Sequence, residues 1–179
     1  DLQAKVIVVS PARGGAPPQF DGLGAMVHDN VREEMRAVLA DSTPCPFIDA
    51  GAQALLEEAR KTFNSLGLGD RCLVESGGKC YLISWLGDYA NDALRLLLNH
   101  VGLSCDNAGL AIEIEAGIAQ TRAALIEVGQ LDANNLDSIL SDVENMLREK
   151  WDWALPAPLL TKSFASISLD IHTAIRFAQ

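Results

Sequence analysis

At 179 residues, with 49% hydrophobic and 21% charged side chains, the chain can bury roughly 70% of its unfolded surface as one domain, or as a domain with a helical appendage. Such a composition excludes a disordered polymer. The formal net charge of −10 and a pI near 4.6 disfavour nonspecific capture of nucleic acid, which draws its affinity from Lys and Arg neutralising phosphate, so any such contact has to be local.

The cysteines Cys45, Cys72, Cys80 and Cys105 are widely spaced, without a CxxC pair or a His cluster to complete a zinc site, and are expected as reduced thiols of a cytoplasmic protein. Neither a targeting segment nor an apolar run of membrane length is evident, and no membrane partner is expected. The chain opens on Asp1 directly before a strand-like run, as an excised piece of a longer protein would.

Lys5–Ser10, KVIVVS, is a β-branched run that predicts a strand covered on both faces. Pro11–Pro18, extending through Gly22 and Gly24, is a loop by composition, and Arg13 is its cation. Its glycines match neither GxxxxGK(S/T) nor GxGxxG. A first helix is predicted from Asn30, boxed with Glu33, to Ala40, with Val31, Met35, Val38 and Leu39 inward and Arg32, Glu33, Glu34 and Arg36 in water. A second, capped by Asp49, buries Ala52, Leu55, Leu56, Ala59, Phe63 and Leu66 and stops at Gly67. Neither helix shows the basic face that reading DNA requires.

Arg71–Gly87 reads RCLVESGGKCYLISWLG. Gly77-Gly78 between two strand-like runs predicts a hairpin with a type I′ turn, placing Glu75 opposite Cys80, Val74 opposite Tyr81, Leu73 opposite Leu82 and Cys72 opposite Ile83. Cys72, Val74, Tyr81, Ile83 and Trp85 are expected on the core face, and Arg71, Leu73, Glu75, Cys80, Leu82 and Ser84 on a half-covered one. Cys72 and Cys80 therefore point apart and should not bridge.

Asp88 is expected to cap a third helix burying Ala90, Ala93, Leu94, Leu97 and Val101, broadened by Leu96 and Leu98 and ended by Gly102. Ser104–Gly109 reads as a loop. Leu110–Glu115 alternates as a strand with Leu110, Ile112 and Ile114 inward, and Glu113 and Glu115 share the open face, a pair that could bind a cation if a further ligand joined it. Ile118–Val128 predicts a helix and Gly129–Asn134 a polar link. A fifth helix runs from Asn134 or Asn135 to Lys150, burying Leu136, Ile139, Leu140, Val143 and Leu147. Asp170 caps a closing helix through Phe177.

No catalytic or metal constellation emerges. His28, His100 and His172 stand isolated, and Ser166 and Ser168 lie in a Ser-rich bend without a GxSxG elbow. Trp151 and Trp153 beside Lys150 and Lys162 could stack unpaired bases and hold phosphate; anchoring of the C-terminal segment on the core explains the same residues.

The segments Val6–Gly22, VIVVSPARGGAPPQFDG, and Leu147–Asp170, LREKWDWALPAPLLTKSFASISLD, resemble the region that follows the motor domains in bacterial DEAD/DEAH-box superfamily 2 helicases of the large helicase-related (Lhr-like) type. The shared steps are Lys150-Trp151-Asp152, Leu155-Pro156, Leu159-Leu160, Ser163-Phe164-Ala165-Ser166 and Leu169-Asp170. The resemblance implies an accessory C-terminal domain of an ATP-dependent helicase or translocase. ATP and Mg²⁺ would belong to upstream motor domains of the same chain, since the sequence has no Walker motif, DEAD or DEAH run of its own. It implies a role in positioning single-stranded DNA or RNA, for which Arg13, Lys150, Trp151 and Lys162 are the candidates. The alternative is a domain that docks onto the motor or another protein without touching nucleic acid.

The expected fold is α+β: a small, mostly antiparallel sheet with helices against its apolar face over residues 1–130, and a helical C-terminal arm over 131–179 packed on that core.

Overall fold

The computed structural model describes residues 26–179; the strand expected over Lys5–Ser10 and the loop carrying Arg13 lie outside them. The described residues form seven α-helices and one four-stranded antiparallel sheet, the α+β arrangement expected.

The hairpin organises the sheet. Its strands are β1 (Leu73–Ser76) and β2 (Lys79–Leu82). Gly77 and Gly78 turn with φ of 60° and 81°, values that glycine adopts without a Cβ penalty. Leu73 pairs with Leu82, Val74 with Tyr81 and Glu75 with Cys80, the predicted register. The predicted faces are exchanged. Leu73, Cys80 and Leu82 are buried in the main core, whereas Cys72, Val74, Tyr81 and Ile83 are half-buried. The neighbouring strand β4 (Ala111–Ile114) decides the matter. Cys80 lies beside Ile114 and Leu82 beside Ile112, so two inward isoleucines extend that face, and the larger apolar surface takes the core. Trp85 is buried as expected, but in a second cluster with Phe63 and Leu68, where Val74, Ile83 and Leu110 cover the opposite side of the sheet.

The outer strand, β3 (Cys105–Ala108), occupies the stretch expected as a loop, giving the order β1-β2-β4-β3. Cys-Asp-Asn-Ala has almost no apolar alternation to betray a strand. Pairing with β4 holds it, and the Asn99 side chain accepts from the Cys105 N–H at 2.8 Å while donating to its carbonyl at 3.3 Å.

Helix α1 (Asp29–Ala40) is capped by His28, whose Nδ1 accepts from the Asn30 N–H, two residues earlier than the expected Asn30 cap. Most of its expected stripe faces outward: Val31 is 51% exposed, and Met35 and Val38 are exposed too, while Leu39 packs against the Phe63–Trp85 cluster. Polar contacts do the rest of the seating, through Arg32, expected in water but largely buried against Asp88, and through Arg36 to the Gly69 carbonyl. Helix α2 (Ala50–Ser65) has its predicted Asp49 cap and ends at Gly67. It buries only Phe63 and Arg60; Ala52, Leu55 and Ala59 are exposed, and Leu56 and Leu66 half-buried. Arg60 donates to the carbonyls of Val38 and Thr43, at 3.0 Å each. A cation thus closes the C-terminal end of α1, where carbonyls lack helical partners.

Helix α3 (Asp88–His100) buries Ala90, Asn91, Ala93, Leu94, Leu97 and Leu98. Gly87 takes its N-cap position, because the Asp88 carboxylate is engaged elsewhere. Helix α4 (Ile118–Val128) has the predicted bounds. The predicted fifth helix breaks: α5 is only Leu136–Ile139, and no helix continues from Ser141 to Lys150. Side chains there take the backbone donors a helix would use. Asn145 Oδ1 accepts the Leu147 N–H, and Asp152 Oδ2 those of Arg148 and Glu149. Arg148 and Lys150 therefore do not sit in a last helical turn. A 3₁₀ turn (Asp152–Ala154) leads to α6 (Ala157–Ser168) and to α7 (Ile171–Ala178), the latter capped by Asp170 as predicted. Ser166 and Ser168, expected in a bend, lie on α6. Phe164, Ala165, Ile171, Ala174 and Ile175 join the same core cluster as α3 and the sheet.

Candidate ligand-binding surfaces

Of the four predicted contact residues, Arg13 lies outside the described residues, and Lys150, Trp151 and Lys162 are on the C-terminal arm. Asp152 shapes the arm. Its carboxylate turns inward and accepts two backbone N–H groups at 2.8 Å each, which holds it below the usual aspartate range. With Asp152 buried, the indoles on either side point out. Trp151 is 64% and Trp153 69% exposed, so the expectation that they anchor the segment in the core is overturned. Their rings lie 6.4 Å apart, tilted by 52°, and the Lys150 Nζ stands 4.8 Å from the Trp151 ring centre, a cation–π contact. Lys162 is exposed on α6.

Sequence reasoning missed two cations on this side. The Arg148 guanidinium covers the Phe164 ring at 4.8 Å. With Arg95 and Tyr89 it lines a crevice of about 680 Å³ between α3 and the arm, where the carboxylates of Asp92, 3.9 Å from Arg95, and Glu149 balance the two cations. Assigning Arg148 to a helix had hidden this, because the irregular path from Ser141 onward is what lays it over α6.

A second concavity, of about 530 Å³, opens beside the hairpin. Arg36 from α1, Arg71 from the segment before β1 and Arg122 from α4 line it, with Asp70 the one carboxylate. Trp85 and Phe177 supply apolar wall. Arg71 Nε donates to the Leu66 carbonyl and Arg36 Nη2 to that of Gly69, so backbone oxygens hold both guanidinium groups without neutralising them. None of the three makes an ion pair among the described residues. No sequence signal joins them, since they come from three separate elements. Trp85 has φ of 60°, a left-handed conformation costly for a bulky residue and met where the surroundings enforce it. Its buried indole N–H has no partner.

Neither surface assembles a nucleophile with a base. Cys72 lines the arginine cleft, but burial pushes its thiol up, only partly offset by Arg122 and Arg36. His28 caps a helix, and His100 and His172 lie on separate helices. The Glu113–Glu115 pair, considered for a cation, receives the Lys79 ammonium at 2.6 and 2.5 Å. Among the described residues no cluster of three His, Cys, Asp or Glu could hold a metal ion, and no helix is long and apolar enough to cross a membrane. Comparison with protein-family models, curated proteins and solved structures finds no match to this chain.

Proposed function

We propose that this chain is a non-catalytic accessory domain of a helicase-like ATPase, and that its C-terminal arm holds single-stranded nucleic acid beside motor domains. ATP and Mg²⁺ belong, on this reading, to the motors. The observation that supports it best is the exposed group Lys150, Trp151 and Trp153. Indole faces stack on unpaired bases irrespective of sequence, at about 1–3 kcal/mol per base, and adjacent cations take the phosphates. Lys150 and the exposed Lys162 of the same arm supply the local cations that an overall charge of −10 demands. The test is titration of a labelled single-stranded oligonucleotide at low salt, in which the protein binds and Trp151→Ala/Trp153→Ala does not.

A second reading, docking onto a motor or another protein, is favoured by the exposed Leu147 and Leu159 on the same arm, apolar surface that bases do not require but a protein interface does. Salt separates the two. Nucleic-acid binding weakens steeply as salt rises, whereas apolar docking does not.

A further inference from the structure

We infer that the cleft formed by Arg36, Arg71 and Arg122 is a binding site for a phosphomonoester of mononucleotide size. This inference is independent of the arm, because the two surfaces share no residue.

Charge makes the first argument. In a chain with 24 acidic against 14 basic side chains, three arginines line one concavity with a single carboxylate. Like charges gathered without partners raise the energy of the free protein, and a dianion relieves this. A phosphomonoester carries about −1.5 to −2 at neutral pH, close to the excess of three cations over one anion.

Donor geometry makes the second. A guanidinium offers five N–H donors. Backbone carbonyls take one from Arg36 and one from Arg71, fixing these side chains while leaving donors for a ligand. Arg122 is exposed and makes no ion pair. Two anchored forks and one free one suit an oxyanion, since Arg pairs with phosphate through parallel N–H···O bonds.

Shape makes the third. About 530 Å³ falls in the range of small-molecule sites, roughly 300–1,000 Å³. A bare phosphate would leave the wall of Trp85, Leu125 and Phe177 uncovered, and an organic moiety on the phosphate fills it. The phosphomonoester could be a free mononucleotide or the 5′-phosphate end of a strand; both present the same group.

The experiment is equilibrium dialysis of the 179-residue protein against labelled AMP, adenosine and inorganic phosphate, with 5′-phosphorylated and 5′-hydroxyl oligonucleotides as further arms. AMP is expected to bind saturably below about 1 mM, and adenosine and inorganic phosphate each about tenfold more weakly or less. Arg122→Gln, which breaks no ion pair, and Arg71→Gln should each weaken AMP binding about tenfold or more. Trp151→Ala/Trp153→Ala should leave it unchanged, so loss of arm binding does not count against the cleft. Preference for the 5′-phosphorylated oligonucleotide over AMP assigns the site to strand ends, and the reverse assigns it to free mononucleotides. Absence of saturable binding by AMP and by the phosphorylated strand overturns the inference. Equal binding of adenosine and AMP, or AMP binding unaffected by Arg122→Gln, does so as well.

Discussion

Arg32 on α1 donates from Nη2 to the Asp88 carboxylate, at the start of α3, over 3.0 Å, and the same carboxylate accepts the Val27 N–H at 2.8 Å. In return, Asp29 Oδ1 accepts the Gly87 N–H at 2.8 Å. This exchange stands in for most of the apolar stripe expected to seat α1, and α1 carries Arg36 to the cleft. Asp88→Ala removes the acceptor of two bonds in a partly buried site and is expected to lower stability by about 2 kcal/mol, with Asp88→Asn losing less. Urea unfolding of the two variants checks the order.

Gly87 is the point of closest approach at this junction. A Cβ there would stand 2.6 Å from the Asp29 nitrogen and 2.8 Å from the Val27 oxygen, both backbone atoms that cannot swing aside. Gly87→Ala should cost about 1–3 kcal/mol. Gly117, likewise an N-cap but with open space around it, should lose only about 0.5–1 kcal/mol on change to Ala, the margin by which Gly exceeds Ala at that position. Thermal melts of the pair separate a steric cause from a general intolerance of alanine.

The Lys79 ammonium, with Glu113 and Glu115, makes the sheet sensitive to acid. The Lys79 hydrogen bond, then that from Tyr81, holds the Glu113 carboxyl below the usual glutamate range. A depressed folded pKa means that Glu113 contributes fully above the unfolded value of about 4.3 and loses its contribution as pH falls through the lower folded value. Wild type should therefore exceed Lys79→Met in stability at neutral pH, and the gap should close as pH drops below about 4. Denaturant midpoints across that range read it directly.

Three of the four thiols should divide by burial. Cys80 and Cys105 are buried, and burial pushes Cys105 up to about 11 and raises Cys80 as well. Thiolate is the reactive form, so at pH near 8 a disulfide reagent should leave these two unmodified until the protein is unfolded. Cys45, which is half-buried, should react in the native state. Mass spectrometry of the labelled peptides identifies the sites.

The hairpin register, the helix over Ile118–Val128 and the Asp49 and Asp170 caps were legible because each depends on neighbours in sequence: a Gly-Gly turn, a 3.6-residue period, a short acceptor before a helix. What was not legible depends on partners far along the chain. The side of the hairpin that meets the core was set by Ile112 and Ile114 on β4. The outward turn of Trp151 and Trp153 follows from Asp152 claiming two backbone donors, and Asp152 between tryptophans carries no pattern that distinguishes this from the reverse. The arginine cleft draws on α1, the segment before β1 and α4 at once, so charge that reads as ordinary surface in each became a site only in the fold.

The arm carries the central claim, and the most direct measurement is fluorescence anisotropy of a labelled single-stranded oligonucleotide titrated with wild-type protein and with Trp151→Ala/Trp153→Ala at low and at physiological salt. Both tryptophans are exposed, so the variant should melt with the wild type. The account predicts saturable binding by the wild type that weakens as salt rises, and its loss in the variant. No binding by the wild type at low salt, or equal binding by a fully folded variant, would contradict it.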